Sequence, residues 1–424
     1  MEVRQYDDLG YTLTTVKSTK LKTNLISVTF QSEISRETVT QRSLLPYVLR
    51  SGSAKYPSKK DLNTYLETLY GSSLSVTVEK KGQTHNVKFY LSVANDKFIQ
   101  SESQLLVNGI ELLKEVLLHP LTENGSFKTS IVDVEKRLLK EYIESLYDDK
   151  MSYSLQKLIE LMCKDERFST NTIGYIEDLD TMTAQDVYKE YESMLKNDQM
   201  MICVVGDIDH EAVHKEFKQH FTFEHPNKIV DVVDKEDKKI TEVVVEKEIQ
   251  AITQGKLNIG YRTNTRIGEA DYIPLLVFNG VFGGYAHSKL FMNVREKASL
   301  CYYCGTRLDN YKGVMYIYSG IENKNYDKAL EIIDQQLEDM RVGNFTDKEI
   351  DLAKKSLINS KLESMDSASG MMAHVSLNTV LGQDVTVEEW VNSVNAVSAD
   401  DIKRVAAKIE KDTIFFLTGK EVTE

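Results

Sequence analysis

The 424-residue chain reads as an α+β protein built from two similar domains. Three observations predict this class. Strand-like and helix-like stretches alternate in the first half and recur in the same order in the second. Both halves close on the same device. Thr183-Ala184-Gln185-Asp186-Val187 leads to the apolar run Met201-Ile202-Cys203-Val204-Val205-Gly206, as Ser398-Ala399-Asp400-Asp401-Ile402 leads to Thr413-Ile414-Phe415-Phe416-Leu417-Thr418-Gly419. Each is a capped helix entering a buried strand. Between the halves, 224–248 is charged, carries Pro226 and contains Asp234-Lys235-Glu236-Asp237-Lys238-Lys239, as a solvated linker would. The expected domains are therefore 1–223 and 249–424, each a mainly antiparallel sheet packed on helices, joined by 224–248.

Short β-rich runs predict strands over 11–16 and 25–31. Helices are expected over 39–49 and 59–70, then strands over 73–78 and 86–93. Apolar residues at helical spacing place helices over 104–117, 132–147, 152–162 and 184–196 before the strand 200–205. The second half gives a strand over 256–261, helices over 272–282 and 289–296, and strands over 301–308 and 313–319. Helices over 326–340, 348–365 and 399–409 precede the closing strand 413–418.

Composition narrows the function. The chain carries 52 basic and 65 acidic residues, a net charge of −13, and no basic cluster. Nucleic acid and anionic membrane surfaces are thereby disfavoured as partners. With 41% hydrophobic residues and 5 Pro it is an ordered globular protein. No apolar stretch of membrane-spanning length and no leader pattern at Met1-Glu2-Val3-Arg4 is present, so a cytoplasmic location is expected.

His210-Glu211-Ala212-Val213-His214 matches the H-E-x-x-H zinc-protease pattern, in which two His one turn apart bind metal and the Glu acts as base. Its surroundings favour an ordinary amphipathic helix. Asp209 is placed to cap it, and Phe217 and Phe221 share the His face, which should pack on the sheet. Charges at Asp207, Asp209, Lys215 and Glu216 crowd the motif, and no Cys or further His offers a third ligand. Cys301-Tyr302-Tyr303-Cys304 has C-x-x-C spacing but lies in strand-like sequence, where residues three apart are expected on opposite faces.

One segment carries a family resemblance. Phe278-Asn279-Gly280-Val281-Phe282-Gly283-Gly284, Ser288-Lys289-Leu290-Phe291-Met292-Asn293-Val294-Arg295-Glu296-Lys297 and Leu300-Cys301-Tyr302 resemble the second domain of the inverted zincins, the pitrilysin, insulysin and mitochondrial processing peptidase group. Val205-Gly206-Asp207-Ile208-Asp209 resembles the element that ends that family's first domain. The resemblance implies the metalloprotease half-clamshell fold, two such halves enclosing a peptide chamber.

The catalytic segment departs from the family. Where members carry H-x-x-E-H shortly before a Gly, alignment on Gly52 gives Ser43-Leu44-Leu45-Pro46-Tyr47. Ser43 and Tyr47 then stand for the two His and Pro46 for the Glu. In Glu135-Lys136-Arg137-Leu138-Leu139-Lys140-Glu141-Tyr142, Tyr142 takes the third ligand's place, with Glu141 about 100° away around the helix. Such residues cannot build a His₂Glu zinc site. The resemblance further implies that Arg295 and Tyr302 reach substrate near the scissile bond, and that the strand segment Ser73-Leu74-Ser75 pairs with extended peptide.

The expected function is a non-catalytic subunit or inactive homologue of a zinc metallopeptidase. Its expected partner is a homologous zinc-bearing subunit or a second copy of itself, with peptide as substrate. No cofactor is expected in this chain, zinc being confined to the partner. The alternatives are a non-hydrolytic peptide-binding or assembly protein, and an active peptidase using His210, Glu211 and His214.

Overall fold

A computed structural model describes residues 1–7, 10–99, 104–223 and 229–420. The first half runs β1 (Glu2–Tyr6), β2 (Thr12–Lys17), β3 (Thr23–Glu33), α1 (Val39–Arg50), α2 (Lys59–Thr68), β4 (Ser73–Lys81), β5 (Thr84–Ala94) and α3 (Leu105–Leu118). A small hairpin, β6 (Thr122–Glu123) and β7 (Ser126–Phe127), leads to α4 (Thr129–Asp148), α5 (Lys150–Met162), α6 (Ile176–Thr181), α7 (Ala184–Asn197), β8 (Gln199–Gly206) and α8 (His210–His220). The second half has β9 (Val244–Ile249), β10 (Gly255–Arg262), α9 (Tyr272–Phe282), a π-helical turn over Phe291–Lys297, β11 (Cys301–Asp309) and β12 (Val314–Ile321). It closes with α10 (Tyr326–Val342), α11 (Asp347–Ser364), α12 (Ala368–Leu381), α13 (Val387–Ala396), α14 (Ala399–Lys408) and β13 (Glu410–Thr418).

The α+β class with two similar layered halves agrees with the sequence expectation. One sheet has the order β1-β2-β8-β3-β5-β4, the other β11-β12-β10-β13-β9. Each is antiparallel except for one pair, β2 with β8 and β9 with β13. The helix-to-strand endings are capped as the sequence implied: Thr183 with Asp186 and Ser398 with Asp401 each form a reciprocal capping box.

Two compact units result, and they do not follow the sequence halves. Unit 1 comprises Met1–Glu144, Thr170–Asp231 and Ser364–Val380; unit 2 comprises Ser145–Ser169, Val232–Glu363 and Leu381–Glu424. Each half lends a helix to the other half's sheet. In unit 2, Leu158, Met162, Cys163 and Phe168 pack with Val314, Tyr316, Phe415 and Leu417. Gly260 in β10 makes room for α5, since a Cβ there would lie 2.5 Å from Met162 Sδ. In unit 1, Met371, Met372 and Val375 of α12 pack on Val16, Cys203 and Val205.

Part of the segment expected to be a solvated linker is docked. Residues 224–228 lie outside the described residues, but Asp234 is buried in unit 2, ion-paired with Lys312 and with its carbonyl accepting from Arg266. β9 pairs in parallel with β13 while exposing nearly every side chain. Glu166, from the stretch lent by the first half, pairs with Lys312 and with Arg262 at 2.7 Å; Arg262 also binds Asp412 at 2.7 Å and donates to the Met162 carbonyl at 2.7 Å. Buried charges are tolerated only when paired in this way. Among the described residues no helix is long and apolar enough to cross a membrane.

Candidate functional site

Unit 1 contains a cavity of about 300 Å³ between α1, α4 and β4. Ser43 and Tyr47, one helical turn apart on α1, line it together with Tyr142 of α4. Apolar walls come from Val78, Leu138, Leu139 and Ile173, and Lys59 and Glu135 complete the lining. The sequence-predicted Ser43, Tyr47 and Tyr142 are thus brought together. Pro46 is buried inside α1 and is not among the lining residues. Glu141 faces away, paired with Arg137 at 3.2 Å.

A buried cluster holds α1 in this orientation. Arg42, next to Ser43, binds Asp198 at 2.7 Å and Glu190 at 3.1 Å. Burial, and then Arg42, drives the neighbouring His85 down to about 3, so it is neutral there.

The donors in the cavity do not fit zinc. Ser43 Oγ donates to the Thr172 carbonyl at 2.8 Å. Burial, reinforced by Tyr142 and Glu135, pushes the Tyr47 phenol up and away from the phenolate that a metal would need. Glu135 is only 4% exposed, and its Oε1 is held by Lys59 at 2.6 Å and by Ser51 Oγ at 2.7 Å. Among the described residues no group of three or more His, Cys, Asp and Glu could hold a metal ion. Sequence reasoning missed Lys59 and Glu135. Glu135 carried a usable signal, lying two helical turns before Tyr142 and hence on its face; Lys59 carried none.

β4 is the outermost strand of its sheet. Ser73 and Ser75 are exposed and Leu74 is buried, with Arg50 Nε donating to the Leu74 carbonyl at 2.7 Å. Because Val78 belongs to β4 and also lines the cavity, edge strand and cavity are contiguous.

Arg295 and Tyr302 belong to unit 2. The expected α-helix over 289–296 is wound as a π-helical turn at Phe291–Lys297, a geometry that recurs at functional positions. The Arg295 guanidinium lies 4.5 Å from the centre of the Phe291 ring and its nearest carboxylate is Glu296, 3.8 Å away. Tyr302 is 79% exposed.

The H-E-x-x-H residues are occupied by packing. Asp209 caps α8 by accepting from Ala212 N at 2.8 Å. His210 is buried, its Nδ1 sharing a 2.7 Å hydrogen bond with Thr15 Oγ1. Glu211 pairs with Arg4 at 2.7 Å and accepts from the Tyr6 hydroxyl at 3.2 Å. His214 stacks on Tyr6, ring centres 4.1 Å apart. A helix used in this way gains nothing from metal. The His210→Ala variant, soaked in zinc and desalted, should therefore match the unaltered chain in metal content. Loss of a full zinc equivalent on that substitution would reinstate the motif as a ligand site.

One expectation is corrected in β11. Cys301 and Cys304 lie on one face, because a bulge interrupts the pairing with β12 between them.

Residues 181–357 match the family described as the Peptidase M16 inactive domain. The chain is 38% identical to "Probable inactive metalloprotease YmfF" of Bacillus subtilis strain 168 over 414 residues, covering 97% of this chain and 96% of that protein. "Uncharacterized zinc protease YmxG" of the same strain is 22% identical, over 71% of this chain and 72% of its own length. The crystal structure of a conserved protein from Enterococcus faecalis V583 superposes with a TM-score of 0.94 at 32% identity, covering 100% of both chains.

Proposed function

The chain belongs to the peptidase M16 family as an inactive metalloprotease homologue, and from that premise we propose that it is the non-catalytic subunit of a two-chain peptidase. It contributes half of a peptide chamber to a homologous, zinc-bearing partner. The observation that carries this reading is the cavity of unit 1. It brings together Ser43, Tyr47 and Tyr142, the residues that the sequence resemblance aligns with the family's metal ligands, beside the edge strand β4. An extended peptide adds to β4 through backbone hydrogen bonds, and the apolar walls with two phenols take up one apolar or aromatic side chain. The zinc that would activate the attacking water would be supplied by the partner alone. Arg295 and Tyr302 add a guanidinium fork and a phenol for the peptide carbonyl.

The test mixes the purified chain with the zinc-bearing M16 homologue from the same genome. Sedimentation should show a stoichiometric complex that cleaves peptides faster than either chain alone. Arg295→Ala should lower kcat/KM of the pair by about tenfold or more without dissociating it, as removal of one charge-assisted contact to a reacting carbonyl does. Failure to associate, or unchanged turnover on that substitution, would defeat the subunit reading. Peptide binding by the chain alone, read by fluorescence anisotropy, would then leave the binding-protein alternative.

A further inference from the structure

β11 and β12 keep register except at one point. Cys301 pairs with Ile321 and Cys304 with Ser319, so Tyr302 and Tyr303 together oppose Gly320 alone. Gly320 is what lets the extra residue fit, since a Cβ there would lie 2.6 Å from the Tyr303 ring. The pleat then fixes the directions. Ser319 and Ile321 are two residues apart on a regular strand and share a face, so the cysteines opposite them share one as well.

The two cysteines thus flank the bulge on one shared face, opposite Ser319, whose hydroxyl donates to the Tyr303 carbonyl at 3.0 Å. Cys304 is buried, whereas Cys301 is half-buried. The neighbouring Cys304, helped by Ser319 and the field of Arg295 and opposed by burial, brings the Cys301 thiol down to about 7. The neighbouring Cys301, with burial, drives Cys304 well above the usual thiol range. The other two cysteines offer a contrast. Cys163 and Cys203 are buried, and burial pushes the Cys203 thiol up to about 12.

We propose that Cys301 and Cys304 form a dithiol–disulfide couple that exchanges with low-molecular-weight disulfides, Cys301 attacking and Cys304 resolving. The Cys301 thiolate attacks one sulfur of the small disulfide RSSR, forming a mixed disulfide and expelling one thiolate RS⁻. Cys304 gives up its proton to that thiolate and attacks the Cys301 sulfur, forming the intrachain bond and expelling the second RS⁻. That thiolate takes up the proton Cys301 had already lost. The chain is oxidised by two electrons, and RSSR is reduced to two RSH. Two residues of strand rise set the Cα separation at about 6.8 Å, the upper end of the range a disulfide spans. Closure therefore draws the bulge in and moves Tyr302, the exposed residue between the two cysteines. None of this depends on a partner subunit.

The test uses the full-length reduced chain and glutathione disulfide, read by intact-mass and peptide mass spectrometry. The peptide bearing both cysteines should lose the mass of two hydrogens and become resistant to alkylation, reversibly with reduced glutathione. Cys304→Ser should instead accumulate a stable glutathione adduct at Cys301, and Cys301→Ser should form none. In the unaltered reduced chain, iodoacetamide at pH 7 should modify Cys301 at least about tenfold faster than Cys163 or Cys203, a comparison that needs no variant. A persistent glutathione adduct at Cys301 of the unaltered chain, without ring closure, would overturn the proposal. So would alkylation of Cys301 no faster than of the buried pair.

Discussion

Replacing Arg262 by alanine should destabilise unit 2 by about 3–5 kcal/mol, the usual consequence of removing one partner from a buried charge cluster. The guanidinium is 4% exposed at its side chain and satisfies Asp412 and Glu166 at 2.7 Å each. Alanine leaves both carboxylates with less compensation and uncaps the Met162 carbonyl at the end of α5. Urea unfolding should show a lower midpoint with little change in slope. Arg404→Ala, which removes an exposed guanidinium from Asp271, should change the midpoint far less. A shift for Arg262→Ala no larger than that of Arg404→Ala would mean the buried network contributes little.

The same cluster sets a pH dependence. Burial alone would raise the Glu166 carboxyl, but hydrogen bonds from Arg262 and Lys312 outweigh it and hold the group below the usual carboxylate range. A depressed folded-state value stabilises above the unfolded pKa. This contribution should thus be complete at neutral pH and be lost as pH falls below the ordinary carboxylate range. It should be smaller in the Arg262 variant.

Rebuilding the metal position should give this cavity a site for a single zinc equivalent. The combined substitution Ser43→His, Pro46→Glu, Tyr47→His and Tyr142→Glu places two imidazoles one turn apart on α1, opposite a carboxylate on α4. Removing Pro46 also restores a helical N–H. Three such donors around one cavity bind zinc with roughly nanomolar affinity or better. Equilibrium competition against a chelating dye, alongside circular dichroism to show the fold intact, provides the measurement. A well-folded variant that takes up no zinc would show that this cavity is not the aligned metal position.

Much of the fold was legible because the core strands are apolar and the amphipathic helices carry the 3.6-residue period. Two of the elements missed draw their stability from outside their own side chains. β9, Val-Val-Glu-Lys-Glu-Ile, is held by backbone pairing with β13 at a sheet edge, so it reads as charged linker. α12 shows no apolar stripe, since Met371, Met372 and His374 are buried around an otherwise mixed surface. Asp234 looks solvated until Lys312 and Arg266 close on it. For the site, Ser43 and Tyr47 were reached through the alignment of this segment with the zincin motif before Gly52, and helical spacing then puts them on one face. The Lys59–Glu135 pair depends on distant segments meeting, and the bulge at Cys301 depends on the absent side chain of Gly320, which no period reveals.

The exchange of α5 and α12 governs the order in which the chain is finished during synthesis. The face of the first sheet formed by Val16, Cys203 and Val205 is covered by Met371, Met372 and Val375. Those residues leave the ribosome well after the strands they cover, by roughly ten seconds or more at ordinary translation speeds. Throughout that interval the nascent chain carries an open apolar sheet face, and the first unit cannot be completed until most of the second has been synthesised. Folding that proceeds unit by unit from the amino terminus is closed to this protein, and the uncovered face is the surface a chaperone would shield.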